Sequence, residues 1–241
     1  YTTLFRSEVI DLSMYGKTST CVLRKIHVQI NDTHERLVFI VNGLRDASWI
    51  TNISKVSKRI SYGKRAEETI HRLVREILSA ITSNKIENVG EYLISFTAQD
   101  ILETEHSHLK IPLAELWKEQ IKRNPGFDFH TVSNGNLLFF GEAKYTSAGS
   151  PYSNAMAGIN GFLKPEIEKH KQEISDLEEL GANEDSIVNV LVNNKFGVVA
   201  AFSLNAINIE AIFERAISLE VTNNLLDQSE ELFLIGIEIC S

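Results

Sequence analysis

The chain has 241 residues, 43% of them hydrophobic, and carries a formal net charge of −8 with a pI near 5.4. This composition fits a globular protein with a sizeable core, and its acidity disfavours a protein that coats nucleic acid unaided, since phosphate contacts need lysine and arginine. No run of about 18 apolar residues indicates a transmembrane helix and the first residues lack a signal-peptide pattern, so we expect a cytoplasmic protein.

The first 85 residues predict an α+β region. Residues 21–30 and 37–41 are strand-like, and the polar stretch between them predicts a hairpin. Residues 67–81 predict an amphipathic helix, because their apolar residues recur at the spacing of one helix face. A polar stretch over 83–89 marks a boundary between an N-terminal region, 1–85, and a second domain, 86–241, without requiring that the two fold separately.

Charge is unevenly distributed along the chain. Seven basic residues against two acids between positions 55 and 75 give a local charge of +5, whereas positions 164–185 carry three lysines against eight acids, or −5. The basic residues are Lys55, Lys58, Arg59, Lys64, Arg65, Arg72 and Arg75. Two interpretations remain open: a solvated loop and helix face, or a phosphate track or docking surface for a partner.

The second region predicts helices and strands in alternation. A helix over 90–105 carries Glu91 in its first turn, where the carboxylate can stabilise the helix N-terminus. Residues 109–117 fit a strand or a helix equally well, and 186–195 are ambiguous. The later elements are a helix over 151–180 interrupted near Pro165, a strand over 197–204, a helix over 206–219 and a strand over 232–239.

Residues 127–143 predict a β-hairpin. Phe127–Val132 and Leu137–Ala143 are strand-like, and residues 133–136 tolerate the positive φ of a tight turn. Side chains alternate between the faces of a strand, so Asp128 and His130 share one face and the two phenylalanines, Phe127 and Phe129, face the other way. Glu142 and Lys144 likewise share one face of the second strand.

The register of this hairpin decides whether its acids meet. A two-residue turn, Asn134-Gly135, would pair Ser133 with Asn136, so that paired numbers add up to 269 and Glu142 points away from Asp128. The two carboxylates share a face only if this sum is even. An even sum needs a loop of odd length or a bulge, for which Gly141 is a suitable place.

Two carboxylates that converge on one point repel each other unless a hard cation lies between them, and Mg²⁺ prefers such oxygen ligands. Asp128 and Glu142 are therefore candidate ligands for Mg²⁺, with Mn²⁺ as a substitute. Lys144 could orient an attacking water or offset charge on a phosphate, and His130 could hold water or phosphate or form an ordinary hydrogen bond. The alternative for Glu142 and Lys144 is a surface salt bridge.

Other motifs are weaker or absent. His106 and His108 lack a further nearby ligand, so a polar loop is favoured over a metal site. Cys21 and Cys240 cannot form a disulfide framework by themselves and are expected to be free thiols. The chain has no Walker A, G-x-G-x-x-G or G-x-S-x-G motif, so any helicase activity must come from another chain.

Three phrases carry a resemblance to a known family: Gly90-Glu91, Pro125-Gly126-Phe127-Asp128-Phe129-His130 and Gly141-Glu142-Ala143-Lys144-Tyr145. They resemble the PD-(D/E)xK nuclease superfamily and, more narrowly, the HamA nuclease subunits of Hachiman anti-phage defence systems. The superfamily's first acid often follows proline directly, whereas Gly126 and Phe127 intervene here.

The resemblance implies an α/β fold with a restriction-endonuclease-like core, ordered helix, three antiparallel strands, helix, strand, behind the N-terminal α+β region. It implies Mg²⁺-dependent DNA cleavage by Asp128, Glu142 and Lys144, with Ala143 and Glu91 joining the two acids at the metal. Apart from the resemblance, Lys118 is a candidate DNA contact by its charge and position. The implied partners are DNA and a helicase-like subunit, HamB. The alternatives are a non-catalytic interaction module with a nuclease fold and a homodimeric site-specific restriction endonuclease.

Overall fold

The computed structural model describes residues 3–83, 85–118, 126–163 and 171–240. Their strands form one mixed sheet of seven strands in the order β1-β2-β7-β6-β5-β4-β3. The strands are β1 (Thr3–Val9), β2 (Val22–Ile30), β3 (Leu109–Lys110), β4 (Phe129–Val132), β5 (Leu138–Lys144), β6 (Gly197–Leu204) and β7 (Glu231–Ile239). The chain is therefore an α/β protein, as expected from the sequence.

Antiparallel pairs lie at both edges of the sheet and parallel pairs at its centre. β1 pairs with β2 antiparallel, and β3, β4 and β5 form an antiparallel meander at the other edge. The pairs β2–β7, β7–β6 and β6–β5 are parallel. Every residue of β6 is buried, as expected for a central strand covered on both faces.

Helices cover both faces of this sheet. They are α1 (Thr33–Leu44), α2 (Ser48–Thr51), α3 (Val56–Ser83), α4 (Gly90–His106), α5 (Ala114–Trp117), α6 (Tyr152–Leu163), α7 (Lys171–Glu179), α8 (Glu184–Leu191), α9 (Ile209–Ser218) and α10 (Glu220–Gln228), with a 3₁₀ helix at Leu12–Tyr15. One apolar cluster joins α1, α3 and α4 to the face that carries Phe129 and Phe139. The other joins α6, α7, α9 and α10 to the face that carries Phe140.

The N-terminal hairpin was predicted with the wrong second element. Residues 37–41 belong to α1, not to a strand, and β2 pairs with β1 instead. The Asp32 side chain accepts a hydrogen bond from the backbone N–H of Glu35 at 2.8 Å, which caps the helix. The spacing Asp32-x-x-Glu35 is the sequence signal that identifies this helix start.

Most of the other predicted elements are confirmed. The amphipathic helix over 67–81 lies within α3, the helix over 90–105 matches α4, and the strand over 197–204 has the bounds of β6. The predictions at 206–219 and 232–239 match α9 and β7. Residues 109–117 contain both the short β3 and the helix α5, and the ambiguous residues 186–195 begin within α8.

Two prolines named in the sequence analysis, Pro125 and Pro165, lie outside the described residues. The predicted helix interruption at Pro165 therefore stays a prediction.

The predicted boundary near residue 85 divides strands that belong to one sheet. Strands from both sides of residue 85 share this sheet, because β2 pairs with β7. The division into 1–85 and 86–241 stays a prediction about folding units.

No helix among the described residues is both long enough and apolar enough to span a membrane.

Candidate metal centre

The β4–β5 hairpin has the even register that the site requires. Phe129 pairs with Gly141 and Val132 with Leu138, so paired residue numbers add up to 270. The Ser133 N–H donates to the Leu137 carbonyl at 2.9 Å, which closes a loop of three residues with Asn136 at a φ of 59°. The predicted alternative of an odd-length loop is therefore confirmed, and the two-residue turn is not formed.

A β-bulge lies at the start of this hairpin. Gly141 pairs with Phe129, yet its carbonyl also accepts a hydrogen bond from the Asp128 N–H at 2.9 Å. Two residues of one strand thus face one residue of the other, which is the arrangement of a bulge. A Cβ atom on Gly141 would lie 2.4 Å from the Phe129 ring, so only glycine permits this close approach.

The bulge breaks the alternation expected over residues 127–130. The Phe127 ring packs against Phe140, with ring centroids 4.7 Å apart, whereas Phe129 is buried on the opposite face of the sheet. The expectation that both phenylalanines face the same core is therefore wrong. The same bulge re-aims the carboxylate of Asp128, whose Oδ2 atom accepts a hydrogen bond from the Ala143 N–H at 2.8 Å.

Three carboxylates surround the ammonium group of Lys144. Its Nζ atom lies 2.8 Å from Glu142 Oε1, 3.6 Å from Glu91 Oε1 and 3.9 Å from Asp128 Oδ2. Asp128 and Glu142 therefore lie on the same side of the hairpin, as the even register requires. Glu91 reaches the same point from the first turn of α4.

A close contact between α4 and the end of β5 brings Glu91 to this place. A Cβ atom on Gly90 would lie 2.2 Å from the Tyr145 ring. Glycine at position 90 therefore allows the helix N-terminus to lie directly against the residue that follows Lys144. Tyr145 was not predicted as a functional residue, because its role depends on this tertiary contact.

The electrostatics of the site favour an additional cation. Burial and the neighbouring charge of Asp128 raise the pKa of Glu142 to about 7, and burial followed by repulsion from Glu91 raises the pKa of Asp128. Burial by itself would lower the pKa of Lys144, but the surrounding carboxylates outweigh it and raise that pKa, so the ammonium stays charged. Ionisation of all three carboxyls would leave an excess of negative charge beside one ammonium, and a bound cation would offset that charge.

The donor atoms at this centre fit a small divalent cation. Glu142 is only 7% exposed, and its Oε2 atom has no hydrogen-bond partner among the described residues. An unpartnered buried carboxylate oxygen beside a second carboxylate offers the oxygen ligands that Mg²⁺ prefers. Ala143 contributes a carbonyl that accepts a hydrogen bond from Lys144 Nζ at 3.1 Å.

A search for preformed clusters of three or more histidine, cysteine, aspartate or glutamate ligands found none in the described part of the chain. Mg²⁺ is commonly bound by one or two carboxylates, with water and substrate phosphate completing the set. Gly158 of α6 packs directly against the Glu142 side chain. A Cβ atom at position 158 would lie 2.9 Å from Glu142 Oε1, so glycine allows α6 to approach this closely. No sequence motif singles out Gly158, because its role depends on the packing of α6 against β5.

Two predicted contact residues lie inside the protein. Lys118 Nζ lies 2.6 Å from Glu173 Oε1 on α7 and 3.2 Å from the carbonyl of Phe127. His130 is completely buried, and its Nε2 atom lies 2.9 Å from the same Glu173 oxygen. Both side chains thus contact Glu173, which sequence reasoning missed, and roles of Lys118 at DNA and of His130 at water or phosphate stay predictions.

Two residues of the basic run pair with the acidic segment of the chain. Lys55 Nζ lies 2.7 Å from Glu179 Oε1, and Lys58 Nζ lies 2.9 Å from Asp176 Oδ1, both on α7. The side chain of Lys55 is 62% exposed, so its ion pair lies at the surface. The choice between a solvated face and a phosphate track or docking surface stays a prediction.

The remaining candidates in that run differ in exposure. Arg59 and Arg65 donate hydrogen bonds to the backbone carbonyls of Ile53 and Trp117. Lys64 is exposed on α3. A role of Lys64 in binding a phosphate or a partner stays a prediction.

The histidine pair lies at the end of α4 and just beyond it. His108 is buried against Phe139, its Nδ1 atom lies 2.9 Å from Thr131 Oγ1, and burial lowers its pKa to about 4. His108 is therefore a neutral residue of the core and does not belong to a polar loop. Cys21 and Cys240 are both free, as predicted.

Comparison of the sequence with protein-family models and with curated proteins gave no match.

Proposed function

We propose that this protein is a metal-dependent nuclease that hydrolyses DNA phosphodiester bonds. The observation that carries this proposal is the convergence of Asp128 and Glu142 beside Lys144, with a buried Glu142 oxygen that lacks a partner among the described residues. Such a centre matches the chemistry of phosphoryl transfer, in which positioning and charge stabilisation do most of the catalytic work.

The residues would divide the chemistry between them. Asp128 and Glu142 would hold Mg²⁺, with Glu91 close enough to join through a water molecule. A bound divalent cation would polarise a phosphoryl oxygen and lower the pKa of a coordinated water. Lys144 remains an ammonium group, so it acts as a hydrogen-bond donor and positive charge for the phosphate or the attacking water, not as a base.

The order of the elements supports the same proposal. The sequence α4, β3, β4, β5, α6, β6 has a helix, three antiparallel strands, a helix and a parallel strand, in the order of the PD-(D/E)xK core. This chain departs from a minimal core because β3 has only two residues, α5 lies between β3 and β4, and α7 and α8 intervene before β6. The acids lie at the hairpin, where that core carries its catalytic residues.

The protein's acidity supports a partner that delivers the DNA. A net charge of −8 and the internal pairing of Lys55 and Lys58 leave few basic groups for the DNA backbone. We propose a helicase-like HamB-type subunit in this role and anti-phage defence as the setting, both from the resemblance of the hairpin phrases. An unrestrained nuclease would damage its own host, so the partner would also control cleavage.

The proposal is tested by plasmid cleavage with the purified chain, with and without the partner, in Mg²⁺, Mn²⁺ or EDTA. Wild-type protein should cleave only with a divalent cation. Glu142→Ala and Lys144→Ala should reduce the rate at least about 100-fold, and Glu68→Gln, at an exposed position of α3, is the matched control.

Equal inactivity of the wild type and both site variants, with the partner present, would reject the nuclease and favour a non-catalytic interaction module. Sequencing of the cleaved ends separates the remaining alternative. A single recurrent sequence at every end would identify a site-specific restriction endonuclease.

A further inference from the structure

A largely buried group of ionisable side chains lies next to the candidate metal centre and is not used by the proposed chemistry. Glu173 Oε1, on α7, lies 2.6 Å from Lys118 Nζ and 2.9 Å from His130 Nε2. The side chains are 9%, 16% and 0% exposed for Glu173, Lys118 and His130. Buried ionic groups of this kind cost desolvation energy, so their retention calls for a reason beyond stability.

These contacts hold the residues that flank Asp128 in the sequence. Lys118 Nζ donates to the carbonyl of Phe127, the residue before Asp128, at 3.2 Å. His130, two residues after Asp128, contacts the same Glu173 oxygen. Glu173 therefore connects the two flanks of the bulge that aims the Asp128 carboxylate.

The residue before Phe127 also fits this arrangement. A Cβ atom on Gly126 would lie 2.2 Å from Lys118 Nζ and 3.3 Å from Glu173 Oε2. A side chain at position 126 would displace the Lys118 ammonium from its contacts. Gly126 thus leaves room for the ion pair of Lys118 and Glu173. Phe127 and Phe129 anchor the backbone on either side of Asp128, because they are buried on opposite faces of the sheet.

Asp128 has few contacts of its own that fix the direction of its carboxylate. The carboxylate accepts one backbone hydrogen bond, from Ala143, and lies 3.9 Å from Lys144 Nζ. Without a fixed backbone at the bulge, this partly exposed carboxylate would be free to turn toward solvent. Residues that orient a metal ligand from outside the ligand set commonly change metal affinity about 10- to 100-fold.

We propose that Glu173 is a positioning residue that holds Asp128 in its metal-binding orientation, acting through Lys118 and His130. This inference rests on the proposed function, because it assigns Glu173 a role at that metal centre. Glu173 itself does not contact the metal, the substrate or the attacking water.

The test is a titration with Mn²⁺, followed by electron paramagnetic resonance of the free ion, on the full chain without DNA. Glu173→Gln keeps the size of the side chain but removes its charge, and we expect it to weaken Mn²⁺ binding at least about tenfold. Glu178→Gln, at an exposed position of the same helix, is the matched control and should bind as the wild type does.

A double-mutant cycle separates positioning from general stability. If Glu173 acts through Asp128, Glu173→Gln should weaken Mn²⁺ binding in the wild type but change it less than twofold in an Asp128→Asn background. In cleavage assays Glu173→Gln should raise the Mg²⁺ concentration needed for half-maximal rate about tenfold, with a smaller loss at saturating Mg²⁺. If Glu173→Gln fails to fold, Lys118→Met, which removes the donor to Phe127, is expected to give the same loss of affinity.

The outcomes distinguish the two proposals. Wild-type protein that neither binds Mn²⁺ nor cleaves DNA would overturn both the function and this inference. Wild-type protein that does both, with a Glu173→Gln variant within twofold of its affinity, would overturn the inference alone. An equal loss in the wild-type and Asp128→Asn backgrounds would also overturn it, because the effect would then not pass through Asp128.

Discussion

Replacing Glu142 by glutamine should stabilise the metal-free protein at alkaline pH. The Glu142 carboxyl is buried beside Asp128, so its pKa rises from 4.5 to about 7 even with Lys144 at 2.8 Å. A difference of one pKa unit corresponds to 1.36 kcal/mol. Ionisation of Glu142 in the folded protein therefore lowers the free energy of unfolding by about 3 kcal/mol.

The sign of the effect follows from linkage. Because the folded pKa lies above the unfolded one, the unfolded chain releases this proton first, and the stability associated with the group is lost as pH rises from 4.5 to about 7. Glutamine at position 142 has no such proton. We therefore expect Glu142→Gln to exceed the wild type in free energy of unfolding by about 3 kcal/mol at pH 8, but by no more than about 1 kcal/mol at pH 5.

The assay is unfolding by urea, followed by circular dichroism, at pH 5 and pH 8 with EDTA present. Glu68→Gln, on the exposed face of α3, should show no such pH-dependent difference. Mg²⁺ should stabilise the wild type at pH 8 and have little effect on Glu142→Gln, because the cation replaces the lost proton. A variant that is less stable than the wild type at pH 8, or the same difference at both pH values, would refute the reasoning.

Three further changes test other parts of the site. Lys144→Met should lower the plasmid cleavage rate about 100-fold or more while Mn²⁺ affinity, measured by titration, stays equal or improves, because a competing positive charge is removed. Gly90→Ala should lower the melting temperature and the cleavage rate, and Tyr145→Ala in the same chain should restore part of both, because it removes the ring that the new methyl group meets. Lys58→Met should cost about 1 kcal/mol of unfolding free energy in a urea titration, through loss of its ion pair on α7, with no change in cleavage rate.

The elements that the sequence predicts well are those decided by local periodicity. The helical spacing within α3 and the continuous apolar run of β6 each extend over enough residues to exclude the alternative. Residues 37–41 form a short apolar run that fits either state. There the capping interaction of Asp32 decides for a helix, and that signal lies outside the apolar run itself.

The residues that meet at the candidate metal centre could be proposed from sequence, but the contacts that support them could not. Asp128, Glu142 and Lys144 are identified by their positions on the hairpin, and an even register followed from requiring that both acids meet. The choice between loop lengths could not be made from sequence, because both Gly135 and Asn136 tolerate positive φ and the loop places only Asn136 there. Glu173 lies 55 positions from Lys118, so only the folded chain brings them together.

Diffraction from crystals grown with Mn²⁺, measured at the manganese absorption edge, would locate the bound ion. We expect an anomalous peak within about 2.3 Å of carboxylate oxygens of both Asp128 and Glu142, and no peak there in crystals of Glu142→Ala. Manganese bound elsewhere, with Lys144 still the only cation beside these two acids, would contradict this expectation.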